Sequence, residues 1–117
     1  MDKKLEIIIR ELRLLKYKNI KVYDVEEGGV SKFLVVATAI NVNDNKKLCQ
    51  QFIATLKIEE KIDGSHKGEW IIIDLEEIVI HLFASGFREK YNMDKLYKGK
   101  EINLDKVEKE GKKKNKV

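Results

Sequence analysis

Three carboxylates stand together at Asp74, Glu76 and Glu77, in the short break between two apolar runs, Trp70 to Ile73 and Ile78 to Phe83. If the first run continued as a strand, Asp74 and Glu76 would share a face, because side chains two apart point the same way. Such a pair suits a magnesium ion, or an acid and a base working together. A hairpin turn also demands polar, solvated residues, and that demand alone accounts for all three acids. His81 interrupts the second run between Ile80 and Leu82. A histidine there could act as a general base or a metal ligand. Its one companion, His66, falls in a loop, so a buried or partner-facing structural histidine is the better account. The single cysteine, Cys49, excludes an internal disulfide and argues against a thiolate zinc site; it reads as a small residue in or near the core.

Gly64-Ser65 resembles the Gly-Ser turn of nucleotidyltransferases. That chemistry needs the turn to open a helix and an Asp-x-Asp pair on the next strand to hold the metals. Here the dipeptide leads into His66-Lys67-Gly68 and then a strand, and no Asp-x-Asp occurs. Phosphate-loop, Gly-x-Gly-x-x-Gly, zinc and nucleophile-elbow patterns do not occur either. The expectation is therefore a chain that is not an enzyme, with no catalytic residue, metal or cofactor. Trp70, the sole tryptophan, starts a strand beside a loop. It fits either a core position at a sheet end or the centre of an interface, where tryptophan buries a large rigid area.

The elements that position these residues follow from hydrophobic periodicity. Leu5, Ile8, Ile9, Leu12 and Leu15 mark one stripe of an amphipathic helix from Lys3 to Lys16. Ile7 and Leu14 fall off that stripe, which implies cover on more than one side of the helix. Ile20 to Val25 reads as a strand ending in the turn Glu26-Glu27-Gly28-Gly29. Phe33 to Ala39 is almost wholly apolar, as in a strand buried on both faces near the centre of a sheet. The polar break from Asn41 to Asn45 offers N-caps for a second helix reaching Lys57, with Leu48, Phe52, Ile53 and Leu56 on its buried face. The two runs around Asp74 are short and rich in β-branched residues, so both read as buried, mutually antiparallel strands. Ser85 opens a helical segment through Tyr91. The resulting order, α-β-β-α-β-β-α, allows a parallel crossover and predicts an α/β fold: a small mixed sheet of four to five strands with helices on its faces.

A chain of 117 residues with 43% hydrophobic and 38% charged residues suits one small α/β domain. The net charge of +4 sits in the tail, because residues 1–97 carry 16 Lys plus Arg against 16 Asp plus Glu. The folded body, 1–97, is thus expected to be neutral, and the lysine-rich stretch 98–117 to be disordered or at most a frayed helix. Lysines there could touch RNA phosphates weakly. No secretory signal opens the chain and no apolar run approaches a membrane span, so a reducing cytoplasm is the expected compartment.

The stretch from Gly68 to Tyr97 closely resembles the end of the ribosomal silencing factor family, also called Iojap-like. The family pattern runs Gly-x-Trp-Val-Leu-Ile-Asp-x-Gly-Asp-Val-Val-Val-His-x-Phe, then Arg-x-x-Tyr-x-Leu-Glu-x-Leu-Trp. Asp74, His81, Phe83, Arg88, Tyr91 and Leu96 fall in register with it. The likeness extends back to about Ile20 through Asp24-Val25, Phe33 to Thr38 and Asp63-Gly64. Departures are Lys32 for Asp, Ala39 for Gly, Asn41 to Asn45 for Ser-x-Arg-His, Glu76 for Gly and Tyr97 for Trp. The resemblance implies a fold related to the nucleotidyltransferase topology. It further implies binding to the large ribosomal subunit through ribosomal protein fourteen, a steric block to joining of the small subunit, and a homodimer when free. Assembly of the large subunit is the alternative role within the family, and a nucleotidyltransferase-like enzyme the remoter one. On this resemblance Trp70, Asp74, Leu75, Glu77 and His81 are the expected partner-binding residues. Arg88, Tyr91, Leu96 and Tyr97 are expected to dock the C-terminal segment against the sheet.

Overall fold

The computed structural model describes residues 3–26, 28–58 and 61–104. Helix α1, Lys3–Leu14, buries Leu5, Ile8, Ile9 and Leu12, which is the stripe its periodicity predicts. Among the described residues nothing supplies the expected second cover: Ile7 and Leu14 are 48% and 69% exposed. Strand β1, Lys18–Asp24, pairs antiparallel with β2, Phe33–Ala39. Helix α2, Val42–Leu56, is capped by Asn41, whose side-chain oxygen accepts the Asp44 N–H at 2.8 Å. It ends where Lys57 turns left-handed and the Ile58 N–H reaches back to the Ile53 carbonyl at 2.9 Å. Strands β3, Ile62–Asp63, β4, Trp70–Asp74, and β5, Ile78–Ala84, form an antiparallel set. Short helices α3, Phe87–Tyr91, and α4, Met93–Leu96, then lead through a 3₁₀ turn, Lys98–Lys100, into β6, Glu101–Ile102.

The strands form one mixed sheet in the order β3-β4-β5-β2-β1-β6. β2 and β5 run parallel at its centre, in register from Phe33↔Ile78 to Ala39↔Ala84. The α/β class, the central β2 and the antiparallel final pair agree with expectation. The strand count does not: six form instead of four to five. The extra strands, β3 and β6, are two residues long, too short to show an alternation. β6 also moves the boundary placed at Tyr97, since Val22↔Ile102 and Tyr23↔Glu101 carry the sheet beyond it. The rest of the lysine-rich tail, residues 105–117, lies outside the described residues. No helix among the described residues is long and apolar enough to cross a membrane.

Two apolar clusters sit on opposite faces of the sheet. The larger joins α1 and α2 to Val22, Val35, Ala37, Ile71, Ile73, Ile78, Ile80 and Leu82. The smaller gathers Tyr23, Leu34, Val36 and Phe83, with Phe87, Met93 and Tyr97 packed on it. One polar group crosses the larger core. Asn45, fully buried, donates its amide to the carbonyls of Gly68 and Leu82 at 2.8 and 2.9 Å and accepts from the Tyr17 hydroxyl at 2.9 Å. It ties the start of α2 to the loop before β4 and to β5. Gly68 lets that loop approach: at its φ of +76° a Cβ would stand 2.8 Å from the Val42 carbonyl oxygen. Asn45→Ala strips three partners at once and is expected to cost about 3 kcal/mol in urea unfolding. Asn45→Asp should be worse at neutral pH, because a buried carboxylate would face two carbonyls, and should recover partly as acid protonates it.

Candidate docking surface

Alternation along β4 and β5 divides their side chains between the two faces. Ile71, Ile73, Ile78, Ile80 and Leu82 enter the helix-covered core. Trp70, Ile72 and Asp74 point the other way, opposite Phe83, His81 and Val79 respectively. The C-terminal segment covers only part of this second face, over Tyr23, Leu34, Val36 and Phe83. Ile72 and, at the border of that cluster, Val79 are only partly buried among the described residues, and they form an apolar strip of the sheet. A depression of about 370 Å³ opens beside it, lined by Leu34, Val79, His81, Tyr97, Lys32 and Lys100.

Aromatic rings wall one end of the strip. Trp70 stacks on Phe83 at 5.1 Å between centroids and lies against Tyr91 at 4.5 Å. Its indole N–H donates to His81 Nδ1 at 2.9 Å. Indole is a donor only, so Nδ1 must carry a lone pair and the imidazole proton sits on Nε2. Gly64 holds the chain beneath this pair: with φ at +80°, a Cβ there would lie 2.1 Å from the Trp70 carbonyl oxygen. The Asp63-Gly64 motif thus has a steric role, and Ser65 follows it into a turn, not into a helix.

Burial holds the His81 pKa down at about 4, against 6.5 for an ordinary histidine. The folded chain therefore resists a proton that the unfolded chain accepts. The resulting stability is complete above pH 6.5 and is lost as pH falls toward 4, an effect of about 2–3 kcal/mol by pH 4.5. Urea midpoints of the wild type and of His81→Gln, whose amide oxygen still accepts the indole proton, should diverge across this window. The variant should show the smaller loss.

The turn after β4 fixes the acids. Leu75 N–H donates to Ile78 O and Glu77 N–H to Leu75 O, both at 2.9 Å, and Glu76 between them takes φ +72°. That is a strained γ-turn, at the position where the resembling family usually carries glycine. Asp74 spends one oxygen on the Glu76 N–H at 2.9 Å. Glu76 reaches Lys61 at 3.3 Å in an exposed pair that contributes little. Because the strand stops at Asp74, Asp74 and Glu76 do not share a face as a continued strand would have it. Among the described residues no group of three His, Cys, Asp or Glu side chains gathers as a metal site would require.

The five expected partner-binding residues do not form one surface. Trp70 and His81 belong to the open face, and Asp74 stands at its edge, where it also lines the groove on the helix side. Leu75 turns the other way, partly buried against the helix-side core, where it lines a groove of about 530 Å³ with Ile7, Ile8 and Leu56. Glu77 stands exposed at the rim beside Val30, Ser31 and Lys32. The centre of the open face, Ile72 and Val79, escaped the sequence reading. Its signal was parity: both lie two positions from Trp70 or His81, but the unbroken apolar runs suggested burial on both faces.

The C-terminal group is held by Arg88. This buried side chain forks onto Asp94 with Nε and Nη2 at 2.8 Å each, and its Nη1 donates to Thr38 Oγ1 at 2.9 Å and to the Asn19 carbonyl. The Tyr23 hydroxyl completes the knot, donating to Asp94 at 2.7 Å. The Arg88 hydrogen bonds, first among several causes, bring the Asp94 pKa down to about 2. Tyr97 packs on Tyr23 at 6.0 Å, and Tyr91 lies over Trp70. Leu96 does not dock: it is 76% exposed, because the four-residue α4 turns it away from the sheet.

The family described as "Ribosomal silencing factor during starvation" matches residues 1–117. A ribosomal silencing factor RsfS of Chromobacterium violaceum is 28% identical over 102 residues, covering 78% of this chain and 83% of that protein. One of Zymomonas mobilis is 29% identical over 75 residues, covering 64% of this chain and 52%, about half, of that protein. Among solved structures, a Chromobacterium violaceum protein shares the fold with a TM-score of 0.71 at 21% identity, over 88% of this chain and 92% of its own. A Bacillus halodurans protein does so with a TM-score of 0.69 at 19% identity, over 86% and 97%.

Proposed function

The chain belongs to the family of ribosomal silencing factors acting during starvation, and on that premise we propose that it represses translation by docking on the large ribosomal subunit in the cytoplasm. The partner in this reading is ribosomal protein fourteen at the intersubunit face, and the effect is steric: the docked domain fills space that the small subunit needs. No bond is made or broken, so the chain acts as a binding module and not as an enzyme.

The observation that carries this reading is the open strip of Ile72 and Val79. A partly buried apolar centre walled by aromatics and rimmed by charged residues of both signs has the make-up of a protein interface. Trp70 and the strip supply the anchor, while Asp74 and Glu77 face a basic ribosomal protein. In the free chain a second copy covers the same strip, which gives a homodimer that must part before docking.

Co-sedimentation with purified large and small subunits, followed by a subunit-joining assay, tests the proposal. Binding to the large subunit alone, with joining blocked, is the expected result. Binding without a block would move the role to large-subunit assembly. Failure to bind the large subunit would overturn both.

A further inference from the structure

The folded body is neutral in sum but not in layout. Residues 1–21 hold seven Lys and Arg against three Asp and Glu, whereas residues 22–97 hold nine against thirteen. α1 and the turn into β1 bring that local excess to the surface. Lys3, Lys4, Arg10, Lys16 and Lys18 are exposed, while the two acids of the helix, Glu6 and Glu11, are half-buried. Glu6 Oε1 is sealed from solvent without a hydrogen-bond partner. A ligand approaching α1 therefore meets more cations than acids, with the exposed Ile7 and Leu14 set among them.

These cations are held on a rigid support. Leu5, Ile8, Ile9 and Leu12 pin α1 to the sheet. Lys3 and Arg10, seven residues apart, lie on one side of the helix about 10 Å apart along its axis. Over that distance a nucleic-acid duplex presents roughly six phosphate charges. The patch shares no residue with the open strip on the opposite face of the sheet.

We propose that the basic face of α1 binds the phosphodiester backbone of RNA. Resting on the docking reading above, the RNA it meets is ribosomal RNA beside the docked domain. The patch carries no aromatic ring to stack on a base, so recognition is by charge and insensitive to sequence. An anionic membrane fits less well. An interfacial helix needs a continuous apolar face, and α1 has spent its stripe on the core, leaving Ile7 and Leu14 exposed among the cations.

Fluorescence anisotropy of the full chain with a labelled 20-base-pair RNA duplex, between 50 and 200 mM KCl, tests this. Three phosphate contacts predict roughly a 20- to 40-fold weakening across that range. The exposed triple variant Lys3→Gln/Arg10→Gln/Lys18→Gln should lose that salt dependence, and Arg10→Gln alone about a third of its slope. Deleting residues 112–117 should leave the difference between wild type and triple variant intact. Equal binding by wild type and triple variant would overturn the proposal. So would a difference that vanishes with the tail, or binding to phosphatidylserine vesicles but not to RNA. Ile72→Asn, a change on the open strip that adds no charge, should bind the duplex like wild type, so a failure of subunit docking and a failure of RNA binding remain distinguishable.

Discussion

Arg88→Ala is expected to cost about 3–5 kcal/mol of folding stability, the loss that follows when one partner of a buried ion pair is removed. A domain of this size holds only about 5–15 kcal/mol in all, so the variant should be marginal at physiological temperature. The magnitude follows from what is left behind. Asp94 would lose both arms of its fork, and Thr38 Oγ1 and the Asn19 carbonyl would lose the same donor. Arg88→Lys should rescue little, because one ammonium cannot span Asp94 and the end of β1 together. Asp94→Asn should fall between them, since its amide keeps one acceptor for the guanidinium or for Tyr23. Acid gives an independent check. Asp94 has a pKa of about 2 in the fold against 3.8 ordinarily. Its contribution is complete above pH 4 and is lost as pH falls toward 2; because the carboxylate is partly open to solvent and screened, the loss is about 1 kcal/mol. Urea unfolding followed by Trp70 fluorescence should show the ranking. Hydrogen exchange should show the segment from Phe87 to Tyr97 opening first, because Arg88 is what fastens it to β1 and β2.

Periodicity made the frame legible and little of its wiring. The stripe of α1 and the doubly buried β2 could be read because each runs long enough to show its pattern. β3 and β6 could not, since two residues have no period. Arg88 stood out only through its register in a family pattern. Its partners lie 6, 50 and 69 residues away, and no local rule joins them. Asn45 was hidden differently. It sits in a polar break that reads as a cap, but Asn41 takes the cap and Asn45, one turn later, faces inward to two backbone carbonyls. The docking surface was half visible. Trp70 and His81 drew attention by type, whereas Ile72 and Val79 looked like ordinary core. Whether an apolar strand residue is covered depends on the layer above it, and that layer is built by a distant segment, Phe87 to Tyr97.

That uncovered centre sets the second large effect. Ile72→Lys should weaken binding to the large subunit by at least 30-fold, the consequence of about 2 kcal/mol lost at an interface centre. Ile72 is partly exposed and belongs to neither apolar cluster, and a lysine stem can lie along the sheet with its ammonium in water, so the same change should cost the free fold about 1 kcal/mol. Trp70→Ala should also weaken docking, but it breaks the stack on Phe83 and the bond to His81, so its stability loss must be measured beside it. Glu77→Ala is the contrast. Its carboxylate sits at the exposed rim, where charges steer encounter more than they hold the complex. It should slow association several-fold at low salt, with an effect that fades toward 0.5 M. If Ile72→Lys bound like wild type while Glu77→Ala abolished binding, the interface would lie at the turn and not on the open strip. The lone side chain of Leu75, facing the groove on the helix side, would then become the next position to change.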